Sequence, residues 1–146
     1  MNKIIQHKKG FTVIELIVVI AIITIVATIV MTNITQYNNT GKDTAIKGNM
    51  SSVLTNSTDY LNKYGNYISF CSNATVQAAL AAADKAYDGN ATPNEVTDCN
   101  AVTAVFAACA QLKSADAYFC VDSSGTKKTV STRSTCVTAW ALTTCP

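Results

Sequence analysis

Residues 11–31 form a run of apolar side chains broken by one charge, Glu15, with Lys3, Lys8 and Lys9 ahead of it. As a helix rising ~1.5 Å per residue, the run covers the ~30 Å hydrocarbon layer of a bilayer. The next basic residue is Lys42, so the lysine asymmetry places the N-terminus in the cytoplasm and the rest of the chain outside. A secretory signal would have a shorter apolar core of ~7–15 residues and small residues at its end, where this chain has Thr28-Ile29-Val30-Met31. A plain anchor leaves Glu15 unexplained. A carboxylate costs about 2.5–3.5 kcal/mol at the centre of a membrane helix and less near the interface, so Glu15 either snorkels to the headgroups or has a partner.

The string Lys8-Lys9-Gly10-Phe11-Thr12-Val13-Ile14-Glu15 resembles the prepilin peptidase site shared by type IV pilins, type II secretion pseudopilins and competence pilins. The resemblance implies cleavage between Gly10 and Phe11, N-methylation of Phe11, and an assembly role for Phe11, Thr12 and Glu15. Cleavage would create a positive amine on Phe11, which the Glu15 of an adjoining copy could neutralise where the dielectric is low. The partners implied are further copies of the chain, the prepilin peptidase and methyltransferase, the membrane before assembly, and the pilus inner-membrane platform with its assembly ATPase. Many pilins carry a proline near the end of the apolar segment. Here Thr32 stands there, and the first proline is Pro93.

Beyond the apolar run, Ile46, Met50, Val53, Leu54, Leu61 and Tyr64 keep helical spacing. The spacing predicts one helix over about 11–63, roughly 80 Å long, apolar all round to residue 31 and amphipathic after it, with bends at Gly41 and Gly48 and a stop at Gly65. A second helix is expected over 74–86, capped by Asn73 and ended by Gly89. Thr92-Pro93-Asn94-Glu95 reads as the capping box of a short third helix. Strands are expected over 101–112, 117–122 and 128–132, forming two hairpins. The expected fold is α+β, a long helix on a small antiparallel sheet. That arrangement resembles the pilin fold, and Tyr118-Phe119-Cys120-Val121-Asp122-Ser123-Ser124-Gly125 is similar to a segment of some pilin-like heads. The organisation expected is a leader (1–10), a long helix (11–64, with 11–31 as the membrane and filament-core part) and a disulfide-stabilised head (65–146).

All six cysteines, Cys71, Cys99, Cys109, Cys120, Cys136 and Cys145, follow the apolar run. An even number in an extracytoplasmic region predicts disulfides; with no Cys-x-x-Cys pair and one histidine, His7, zinc is the poorer reading. Six cysteines allow fifteen pairings. Proximity suggests Cys136 with Cys145, closing a C-terminal loop around Trp140 as in many pilins, together with Cys71 with Cys99 and Cys109 with Cys120.

His7 falls in the leader, so a processed chain has no histidine for a Ser-His-Asp or Cys-His centre, and no glycine-rich phosphate loop is present. No catalytic residue, metal or cofactor is expected. Asp122-Ser123-Ser124-Gly125 lacks the alternating carboxylates of a calcium loop and reads as a β-turn. Without the leader lysines, eight basic residues face nine acidic ones, a formal −1, which gives no bulk attraction to nucleic acid. Lys127, Lys128 and Arg133 form the one basic cluster of the head and the one candidate nucleic-acid contact. Six Asn-x-Ser/Thr triplets, at Asn33, Asn38, Asn49, Asn56, Asn73 and Asn90, are weak glycosylation signals in so Ser/Thr-rich a chain. The expected function is a structural subunit polymerising into an extracellular type IV pilus; the alternatives are a minor pilin with a DNA- or surface-binding head and a type II secretion pseudopilin.

Overall fold

A computed structural model of the chain describes residues 10–90, 96–131 and 144–145, the side chains of 32 and 33 excepted. It shows the expected α+β, pilin-like architecture: a long N-terminal helix, α1 (Val13–Tyr64), packed on a small four-stranded antiparallel sheet. The chain divides into two units, Met1–Tyr37 and Asn38–Pro146.

In the first unit the large apolar side chains of α1, from Val13 to Met31, are all at least half exposed. By length and composition α1 can cross a membrane. The hydroxyls of Thr24 and Thr28 donate to the carbonyls of Ile20 and Ile25, at 2.7 and 2.8 Å, so these polar groups need no water. No proline interrupts this stretch, and α1 also continues through Gly41 and Gly48.

In the second unit α1 buries Asp43, Ile46, Met50, Val53 and Ser57, which recur at steps of three and four and so share one face. Leu61 and Tyr64, expected on the same stripe, are exposed. Core burial on α1 ends at Ser57, and the Tyr64 ring stacks on Tyr60 instead, at 4.5 Å. Gly65 ends the helix at φ 70, its N–H donating to the carbonyl of Leu61. A 3-10 turn (Phe70–Ser72) leads into α2 (Ala74–Asp88). As expected, Asn73 caps α2 by accepting from the Thr75 N–H at 3.0 Å, and Gly89 closes it at φ 98.

The sheet is a meander, β1 (Thr97–Ala101), β2 (Phe106–Gln111), β3 (Tyr118–Asp122) and β4 (Lys127–Val130), in that spatial order. Of the single strand expected over 101–112, Ala101 is the last residue of β1, residues 102–105 are a turn, and Phe106–Gln111 is β2. Val102 donates to the carbonyl of Val105, and the Thr103 carbonyl accepts from Tyr67, so a tertiary bond holds a turn that has no Gly, Pro or Asn. Strand β1 was not expected: Asp98 and Asn100 are poor strand formers. It is held by the Asp84 carboxylate of α2, which accepts from the Val96 N–H and the Thr97 hydroxyl at 3.2 and 3.0 Å. The capping box expected at Thr92 lies outside the described residues, and by Thr97 the chain is already a strand.

The core joins Ile46, Met50 and Val53 of α1 to Phe70, Val76, Leu80, Phe106 and Val121. On the opposite sheet face Ala107, Cys109, Tyr118, Cys120 and Asp122 are buried too. A strand buried on both faces needs a continuous run of small apolar residues, which Phe106-Ala107-Ala108-Cys109-Ala110 supplies.

Candidate assembly site at the start of the long helix

Thr12 and Glu15 form a reciprocal cap on α1. The Thr12 N–H and hydroxyl both donate to Glu15 Oε2 at 2.8 Å, and the Glu15 N–H donates to Thr12 Oγ1 at 3.3 Å. This is the Thr-x-x-Glu capping box, which satisfies helix N–H groups otherwise left without partners. The pattern stands in the sequence just ahead of an apolar run, which is the signal of a helix start. Because every atom of the cap lies in Thr12 and Glu15, a cut after Gly10 would leave it intact. Both donors share Oε2, and among the described residues Glu15 Oε1 makes no hydrogen bond. Phe11 is 93% exposed. The structure therefore places Gly10, Phe11, Thr12 and Glu15 together at one helix end, with one carboxylate oxygen open. The leader residues ahead of Gly10 lie outside the described residues.

The other residues singled out in the sequence are elsewhere. Lys127 and Lys128 are exposed on β4, at the edge of the sheet. As neighbours on a strand they point to opposite faces, which splits the expected basic cluster; Arg133 lies outside the described residues. Exposed lysines on a short edge strand also block pairing with another sheet.

Of the three bridges expected from proximity, Cys71–Cys99 is formed, with Cα atoms 5.7 Å apart. Cys145 is bonded to Cys120, which overturns both the expected Cys136–Cys145 bridge and the expected Cys109–Cys120 bridge. Cys109 and Cys120 do face each other in register on β2 and β3, but each is engaged in another bridge. Sequence proximity failed there because Cys145 is fixed against β3, where its N–H also donates to Asp122 Oδ2 at 2.8 Å. Cys136 lies outside the described residues.

The Asp122–Gly125 segment is the β-turn expected, with the Gly125 N–H donating to the Asp122 carbonyl and Gly125 at φ 87. The Asp122 carboxylate accepts from the N–H groups of Ser124, Thr126 and Cys145 and from the Ser124 hydroxyl. Burial pushes its pKa up, but the hydrogen bonds, led by that of the Ser124 side chain, outweigh burial and leave it below the ordinary aspartate value. Its oxygens are thus occupied by protein donors.

Residues 5–31 match the family model described as "Prokaryotic N-terminal methylation motif". No curated protein and no solved structure matches the chain. The motif marks structural subunits and not a catalytic family, and with the apolar helix behind it fits a membrane-anchored precursor. The chain therefore carries at its N-terminus the class III signal of type IV prepilins, the mark of a type IV pilin-like or pseudopilin precursor.

Proposed function

We propose that the chain is the structural subunit of a type IV pilus. The observation that carries this reading is α1 itself: large apolar side chains exposed from Val13 to Met31, with Glu15 the one charge among them, capped at the helix start. The precursor sits in the membrane with Lys3, Lys8 and Lys9 in the cytoplasm and the head outside. Prepilin peptidase cuts between Gly10 and Phe11, and Phe11 is methylated on its new amine. The capping box holds Glu15 Oε2 and leaves Oε1 to accept from the Phe11 amine of an adjoining copy. Helices that leave lipid for each other exchange one apolar environment for another. Close packing and the amine–carboxylate pair, not a net hydrophobic gain, then select the polymer.

The test is Glu15→Val. Membrane insertion and cleavage after Gly10 should persist, read by mass spectrometry of the purified chain, while sheared surface fibres disappear. Normal fibres from this variant would remove Glu15 from the mechanism. A mature chain that starts at Met1, or beyond Met31, would overturn the whole reading. Wild-type chain that is processed but absent from sheared surface fibres would point instead to a pseudopilin.

A further inference from the structure

We propose that three lysines, at the end of the head where α1 enters it, form a docking surface for the anionic headgroups of the membrane that holds the precursor. The inference rests on the membrane-anchored precursor and not on the polymer. Lys42 and Lys47 lie on α1, and Lys113 lies in the β2–β3 turn. Among the described residues Asp43 is the first of α1 to be buried, and the three lysines stand around it. At ~100° per residue, Lys42 and Lys47 fall on either side of the buried stripe of Asp43, Ile46 and Met50. The Lys113 N–H donates to the Asp43 carboxylate.

Tyr87 of α2 orders two of these side chains. Its backbone carbonyl accepts from the Lys42 ammonium at 3.3 Å, and its ring centroid lies 4.2 Å from the Lys113 ammonium. The Lys47 ammonium stands 6.0 Å from the centroid of the Phe119 ring on β3. All three lysines are half-buried, the distribution in which methylene stems pack on protein while the ammonium stays in water. Of its three N–H donors the Lys42 ammonium spends one on Tyr87, and among the described residues Lys47 and Lys113 spend none on an oxygen. Two ammoniums held on one tyrosine repel each other, and an anion relieves that repulsion.

No carboxylate pairs with the three. Asp43 is buried and accepts from the N–H groups of Lys113 and Ser114 and from the Ser114 hydroxyl. Asp88 and Asp116, exposed and close along the chain to Tyr87 and Lys113, form no ion pair with a lysine among the described residues. The lysines are spread over one end of the head and not gathered in a pocket, so the partner is a surface bearing many negative charges: the phosphodiester headgroups of lipid. Chain length keeps that surface within reach. Lys42 follows Met31 by eleven positions, at most ~40 Å of fully extended chain. So short a tether gives the lysines a high effective concentration of headgroups, and each lysine close to an anionic membrane adds to the attraction.

The test uses the full chain in lipid nanodiscs, of phosphatidylcholine alone and of phosphatidylcholine with phosphatidylglycerol, and reads the acetylation rate of each lysine by mass spectrometry. In the anionic discs Lys42, Lys47 and Lys113 should be acetylated several-fold more slowly than in the neutral ones, and raised salt should cancel the difference. Lys63, ~24 Å further along α1 than Lys47, and Lys127 on β4 should keep one rate in both. Lys113→Gln should speed Lys42 and Lys47 about fivefold in the anionic discs, and Lys113→Arg should keep them slow. Equal rates in the two lipids with the chain inserted would overturn the proposal, as would equal slowing of Lys63 and Lys127. Slowing that follows the number of chains per disc and not the lipid would overturn it in favour of a second copy. A chain that does not enter the discs would overturn the membrane anchor and this proposal together.

Discussion

Asp122 ties the β3–β4 turn and Cys145 to one carboxylate, and this makes the head sensitive to acid. In the unfolded chain an aspartate titrates near ~3.9. The folded-state pKa of Asp122 lies lower, so its contribution to stability is complete above the unfolded value and is lost as pH falls through the folded one. Melting temperature followed by circular dichroism should therefore drop as the solution is acidified below about pH 4, and Asp122→Asn should flatten that drop. An equally steep drop in the variant would assign the acid sensitivity to other groups. Asp43 has a comparable position on α1. It is buried, and it accepts from the N–H groups of Lys113 and Ser114 and from the Ser114 hydroxyl in the β2–β3 turn. Asp43→Ala would leave those N–H groups without their charged acceptor, at an expected cost of about 2–4 kcal/mol in denaturant unfolding. Neither tie was legible in the sequence. An aspartate on a helix reads as a solvated charge until the strand that meets it is known.

Elements were legible where local rules act alone. The Asn73 cap, the Gly89 and Gly65 stops and the Asp122–Gly125 turn each need one residue type at one backbone conformation, and all stand where expected. Strand β1 was invisible because its polar residues become a strand only through Asp84 and the Cys71–Cys99 bridge. The split between β1 and β2 was hidden for the opposite reason: Val102-Thr103-Ala104-Val105 has strand composition, yet Tyr67 holds it as a turn. Helix α1 illustrates a local rule left unused by the molecule. A Cβ added at Gly48 meets nothing within 4 Å, and the residue lies inside the helix. Gly48→Ala should therefore raise stability by about 0.8–1 kcal/mol in equilibrium unfolding. A loss instead would show that the glycine serves a partner surface.

For the whole molecule the disulfides matter most, since the head has few large buried side chains. Cys71–Cys99 joins the segment after α1 to β1, across 28 residues of sequence, and Cys120–Cys145 joins β3 to the chain end across 25. In the loop-entropy account each contributes about 3–4 kcal/mol. Peptide mapping under non-reducing conditions should recover both of these links and no link of Cys109 with Cys120, and Cys71→Ser with Cys99→Ser should lower the unfolding free energy by that amount. The long helix, its apolar first part, the capping motif with Glu15, and the α+β class were determined by the sequence alone. Those features depend on composition, on a period of 3.6 and on residues three or four apart. Which cysteines pair, where the strands break, which aspartates are buried and which lysines gather at one end of the head were decided only by the tertiary structure. Each of those depends on residues distant in sequence meeting in space, and no local pattern encodes that meeting.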